Sequence, residues 1–173
     1  MVDDNYIPFK DGEFKTKSKK AEFWVAAWKK DGFNPIATYA RAEEDARNGD
    51  ELAQKHPLFS VQRKTYRSVH STFNNLEWMN EVCDQAPVVL INTADAEARG
   101  IKDGDKVVVF NDRGEHHGIA EVGERIKQGV VGLQNGWWEQ QGGSSSYVTN
   151  DKWKTLGGTH CCNQTLIEVK KEA

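Results

Sequence analysis

The stretch QRKTYRSVHST, residues 62–72, brings three cations, one histidine and several hydroxyls into a single loop. A phosphate needs donors arranged as a fork, which a guanidinium supplies in one plane, and hydroxyls or backbone N–H groups complete its shell. The loop therefore suits a phosphorylated ligand. It also suits a solvated basic turn in which a backbone carbonyl satisfies His70, and the residues alone do not separate the two. A second stretch, NGWW at 135–138, sets two large aromatics after a short apolar run and before a Gly/Ser-rich segment. Trp137 and Trp138 could stack on a heterocycle or serve as core beside a glycine hinge. Asn163, just ahead of the last apolar run, offers an amide to the edge of a purine. Phosphate donors, stacking aromatics and an amide at strand ends are what would grip a nucleotide-like ligand.

These residues need a scaffold, and the patterning supplies one. PLFSVQ and APVVLIN read as buried strands, separated by a polar loop and the amphipathic segment NNLEWMNEV (74–82), with Leu76, Met79 and Val82 on one stripe. In DAEARGIKDGDKVVVFNDRGE (95–115), Asn92 or Thr93 caps a helix through Arg99. Gly100 takes the left-handed position that ends it, and Ile101 makes the closing apolar contact. KDGD then turns into the strand KVVVF, and NDRG returns the chain through EHHGIAEV. GVVGL and QTLIEVKK complete the set, the latter with Leu166 and Glu168 on one face and Ile167 and Val169 on the other. Short strands interleaved with short helices predict a closed β barrel with helical decorations. Upstream, AEFWVAAWKKDG spaces Phe23, Trp24, Ala27 and Trp28 as on a helix that docks. NPIATYARAEEDARNGDELAQK (34–55) has an Asn34 cap and Pro35 start that favour a helix. QQGGSSS (140–146) reads as a mobile loop.

The 173 residues suit one domain with a real core. With 23 Lys and Arg against 26 Asp and Glu, the charge gives no general reason to expect nucleic acid. Ala86 to Ile91, the longest apolar stretch, is far short of the roughly 20 residues a membrane helix needs, so no direct membrane insertion is expected. The first twenty residues mix charges without an apolar stretch and do not read as a signal peptide. The three cysteines, Cys83, Cys161 and Cys162, have neither disulfide-framework nor zinc spacing. Adjacent Cys161 and Cys162 would face opposite sides of a strand, and His116–His117 reads as an exposed strand edge. No catalytic group and no metal ligand is expected within the chain.

The order HPLFSV, RSVHSTFNN, APVVLINTADAEARGIKDGDKVVVFNDRG, ERIKQGVVGLQNGWW, NQTLIEVKK resembles the C-terminal molybdopterin-dinucleotide-binding domain of the dimethyl sulfoxide reductase family of molybdenum oxidoreductases. The resemblance runs from about residue 56 to 171. R-x-x-H-S followed by Asn-Leu is more like the catalytic subunits of membrane-anchored dimethyl sulfoxide reductases than nitrate reductases or formate dehydrogenases.

That resemblance implies a mainly β fold: a double-psi β barrel with short helices at 56–173, and an irregular N-terminal extension at 1–55 packing on it. It makes 34–55 a mostly extended connection, against its helical propensity. The cofactor implied is molybdopterin guanine dinucleotide, its molybdenum held mainly outside this chain. The reaction implied for the whole enzyme is two-electron oxygen-atom transfer, the isolated chain being inactive. Gln62, Arg67, Ser68, His70 and Ser71 match the segment that contacts the pterin and pyrophosphate. Trp137, Trp138 and Asn163 match positions near the cofactor. Where many relatives read Asn-x-Leu-Thr, this chain has Ser146 in SYVT, so no contact carries over there. Implied partners are the remaining domains of the catalytic subunit and an iron–sulfur electron-transfer subunit. The implied setting is the periplasm, or the outer face of the cytoplasmic membrane, of a bacterium or archaeon. The competing reading is a free-standing barrel acting as an interaction or adaptor module.

Overall fold

A computed structural model of the chain describes residues 5–65, 68–82, 86–153, 158 and 160–173. It divides into two compact units, residues 1–41 and 42–173. The first contains the short helix α1, Ala26–Lys30, and none of its described residues is buried. Phe23, 86% exposed, and Trp24 precede α1 rather than joining it, and the Lys29 ammonium lies over the Trp24 ring. The helix that Asn34 and Pro35 favour does not form across 34–45, in line with the extended connection that the resemblance implies. Asn34 accepts from the backbone N–H of Ile36 at 3.1 Å in a local turn instead of starting a helix. Helical structure begins only at Ala46–Asn48, a 3₁₀ turn ended by Gly49 at φ +66°, and at α2, Glu51–Lys55. Asp45 and Asp50 cap those two turns.

The second unit is a closed barrel of six strands: β1 (Leu58–Arg63), β2 (Val88–Ile91), β3 (Lys106–Asn111), β4 (Gly114–Val122), β5 (Val130–Gln134) and β6 (Thr165–Lys171). Their order around the barrel is β1-β5-β2-β4-β3-β6. The expected mainly β barrel with short helices is thus found. Pairings β1–β5 and β2–β4 are parallel and the other four antiparallel. The core takes alternate side chains from the strands, including Val89 and Ile91, Val107 and Val109, Val131 and Leu133, Ile167 and Val169.

Local chemistry matches the pattern that predicts it at several points. Helix α3 spans Glu77–Val82 with Val82 exposed, so the expected apolar stripe is not buried. Helix α4, Thr93–Glu97, starts at Asn92 as expected, the Asn92 side chain accepting from Ala94 N–H at 3.0 Å. Gly100 (φ +65°) reverses the chain, Ile101 N–H bonds to Ala96 O at 2.9 Å, and Ile101 is buried. Two further expectations fail, those for His116 and for the adjacent cysteines. His116 is fully buried, because its strand face turns inward. The segment 140–146 is folded into two 3₁₀ turns, Glu139–Gln141 and Ser145–Tyr147, joined by Gly142 and Gly143, both at positive φ. Cys161 and Cys162 lie in a turn closed by Gln164 N–H to Cys161 O at 2.8 Å, not on a strand, and Cys83 lies outside the described residues. No described helix is long and apolar enough to cross a membrane.

Candidate functional site

Parallel pairing sets the carboxyl ends of β1 and β5 side by side, Arg63 opposite Gln134. Antiparallel pairing brings the start of β6 to the same place, with Thr165 opposite Ser60. A cleft of about 760 Å³ opens there, lined by residues from the loops after β1 and β5, from 144–151 and from the turn before β6.

Of the residues singled out from sequence, Gln62, His70, Ser71 and Trp137 line this cleft. Asn163 supports it from behind: its side-chain oxygen accepts from the Gln62 backbone N–H at 2.9 Å. Ser68 is engaged with Thr65, their hydroxyls 2.7 Å apart. Trp138 donates its indole N–H to the Ser71 carbonyl at 2.9 Å and is not among the lining residues. Arg67 lies outside the described residues.

Gln62 takes a hydrogen bond from the Ser145 hydroxyl at 2.9 Å on its amide oxygen, while its buried amide nitrogen has no partner among the described residues. A buried donor left unmade costs free energy. Trp137 is 5% exposed, and its indole N–H bonds to Gln134 Oε1 at 2.9 Å; that same oxygen accepts from Val88 N–H at 3.0 Å. The ring is therefore pinned to the barrel. His70 sits at φ +55°, its Nε2 3.0 Å from the Lys64 ammonium. An ammonium can only donate, so in this hydrogen bond the His70 Nε2 is the acceptor. Gly136, φ +88°, is needed where it stands: a Cβ there would lie 1.9 Å from the His70 carbonyl oxygen.

Pattern reading missed Asn135, Ser144, Ser145, Thr149, Asn150, His160 and Cys162, which also line the cleft, as does Ser146. Asn150 is the best anchored of these, its backbone N–H bonding to Thr165 Oγ1 at 2.8 Å and its amide donating to Gln164 O at 2.9 Å. Amide and hydroxyl donors and one fixed aromatic face, together with the Lys64 ammonium beside His70, and with the Asp151 carboxylate also in the lining, can bind a polar, phosphate-bearing ligand that carries a ring.

The sequence matches a known family over the same barrel: residues 58–166 fit the molydopterin dinucleotide binding domain. The chain belongs to that family. Among curated relatives, the probable oxidoreductase YoaE of Bacillus subtilis is 35% identical over 166 residues, 95% of this chain and 23% of that protein. Dimethyl sulfoxide reductase DmsA of Escherichia coli is 33% identical over 148 residues, 82% of this chain and 18% of that protein. The chain thus spans about a quarter or less of these relatives. Among solved structures, acetylene hydratase from Pelobacter acetylenicus superposes with a TM-score of 0.82 at 19% identity, over 96% of this chain and 25% of that one, a likeness of fold.

Proposed function

We propose that this chain is the domain of a larger molybdopterin oxidoreductase that binds and caps the bis(molybdopterin guanine dinucleotide) cofactor. The observation that carries the reading is the cleft at the joined ends of β1, β5 and β6, whose lining gathers the amides of Gln62, Asn135 and Asn150 beside Trp137. The residues fit such a group. Hydroxyls of Ser71, Ser144, Ser145 and Ser146, and the amides of Gln62, Asn135 and Asn150, suit phosphate and heterocycle edges. Lys64, beside His70, offsets phosphate charge at the rim, a role in which Arg67 joins it. Trp137 presents an apolar wall that excludes water. When bound, the group supplies the molybdenum centre at which two-electron oxygen-atom transfer takes place. This chain contributes binding, orientation and charge balance rather than a reacting group.

In this reading the other domains of the catalytic subunit supply the metal ligand and the substrate funnel, and an iron–sulfur subunit delivers electrons. The enzyme stands in the periplasm or at the outer face of the cytoplasmic membrane of its cell. The match to dimethyl sulfoxide reductase DmsA supports the assignment to a larger oxidoreductase.

The test is made in the full-length parent enzyme. Arg67→Ala combined with His70→Ala is expected to lower the guanine nucleotide and molybdenum retained after purification by at least about tenfold, two charge-assisted contacts being lost. Content equal to the parent's, measured by nucleotide release and metal analysis, would remove these residues from the site.

A further inference from the structure

We propose that Trp138 and Asn74 are positioning residues that fasten the turn carrying His70 and Ser71 onto the chain leaving β5, so that this wall of the cleft is built before a ligand arrives. The inference rests on the proposed cofactor-binding role only for what that wall receives. The turn is in a conformation its own residues do not favour, with His70 at φ +55° and Phe73 at φ +74°. Non-glycine residues hold such angles only where the surroundings over-determine them.

The surroundings that do so are on the segment 135–138. Gly136 passes directly beneath the turn, where a Cβ would meet the His70 carbonyl carbon at 2.5 Å and the Ser71 nitrogen at 3.2 Å. The side chain of Asn74, itself buried, reaches back to donate to the Gly136 carbonyl at 2.8 Å. From the other side the Trp138 indole N–H holds the Ser71 carbonyl at 2.9 Å. The turn is thereby tied at both ends of a three-residue stretch whose first residue has no side chain. Adjacent tryptophans then have different tasks: Trp137 faces the cleft, and the 40% exposed Trp138 acts through the backbone of Ser71. A loop ordered in advance does not charge its ordering entropy to binding.

The experiment separates ring from N–H. Trp138→Phe in this chain keeps an aromatic ring and removes the donor. The amides of Thr72 and Leu76, which bond to the Val69 and Phe73 carbonyls, are expected to exchange hydrogen on the order of tenfold faster, with barrel amides unchanged. In the parent enzyme the same substitution should lower retained guanine nucleotide by about tenfold, and Trp138→Ala should do no worse. Gly136→Ala, which deletes no contact group, should reproduce both effects by displacing the turn. Unchanged exchange in Trp138→Phe overturns the inference. So does full nucleotide retention in Trp138→Phe alongside loss in Trp138→Ala, which would make the ring a stacking surface. The exchange measurement needs no cofactor, so its outcome stands even where the Arg67 and His70 test fails.

Discussion

His116 illustrates how one side chain ties this barrel to its solvent conditions. It is fully buried, both ring nitrogens lack partners among the described residues, and a Cβ on Gly143 would come within 3.2 Å of its Nδ1. Burial, with a lesser push from neighbouring His117, lowers its pKa from 6.5 to about 4. The folded protein therefore holds the ring neutral. Above pH 6.5 both folded and unfolded chains have it neutral and stability is complete. Between 6.5 and 4 only the unfolded chain takes up the proton, so stability falls with pH, by about 3 kcal/mol in all. His116→Leu should flatten this part of the acid limb and leave stability at pH 7 the same or higher, since an unpaired polar ring is removed. Urea unfolding midpoints of both proteins across that range check it; parallel curves would refute it. Burial of this kind was not legible in HH, because period-two alternation gives opposite faces without saying which is inward. Gln62, His70, Ser71 and Trp137 stood out because their types carry chemistry at short spacing. Asn135, Asn150 and the serines did not, since single polar residues in loops become a site only when strands far apart in sequence bring them together.

Among the elements, the segment from Ala42 to α2 is joined to the barrel by a buried carboxylate as well as by the exposed pairs Lys152–Glu43 and Lys55–Asp112. Glu44, 3% exposed, accepts from Leu166 N–H at 3.0 Å with one oxygen and pairs with Arg113 through the other. Glu44→Ala leaves the Leu166 N–H unmade and Arg113 with only Asp151, 3.6 Å away, and should cost ~3 kcal/mol, the low end for breaking a buried pair from one side because Arg113 keeps that partner and some water. Glu44→Gln keeps an acceptor for Leu166 and should lose less than half as much. Chemical denaturation ranks the three proteins, and equal losses in the two variants would deny the backbone bond its share. Strands and the α4 cap could be read directly, because alternation, Asn92 and Gly100 each have a local cause. The 34–55 helix could not, since the start signal at Asn34 is consumed by its own turn and Gly49 breaks the helical run further along. Glu44 itself gave no sign, its partners lying 69 and 122 residues away.

For the molecule as a whole, the main apolar cluster among the described residues runs from Leu58 to Val169, and the buried Ala53 also lies beyond residue 41. Residues 42–173 should therefore fold without residues 1–41, with a thermal midpoint within about 4 °C of the full chain, the shift that corresponds to roughly 1 kcal/mol. Calorimetry of the two proteins decides it, and an unfolded 42–173 would mean that the core as drawn is insufficient. Closure into a barrel follows from the strand count and from the family resemblance. Which strands run parallel follows from neither alternation nor turn chemistry, and it is that pairing which puts the ends of β1 and β5 together.

The order of synthesis gives β6 a further significance. It leaves the ribosome after the other five strands, and until it inserts between β1 and β3 the sheet has two open edges and Gln62 lacks the oxygen of Asn163 against its backbone. A chain halted before residue 163 has most of its sheet and an incomplete pocket. A ligand that needs the whole pocket, as the proposed function requires, would therefore bind only after β6 has been made and the ring of strands has closed.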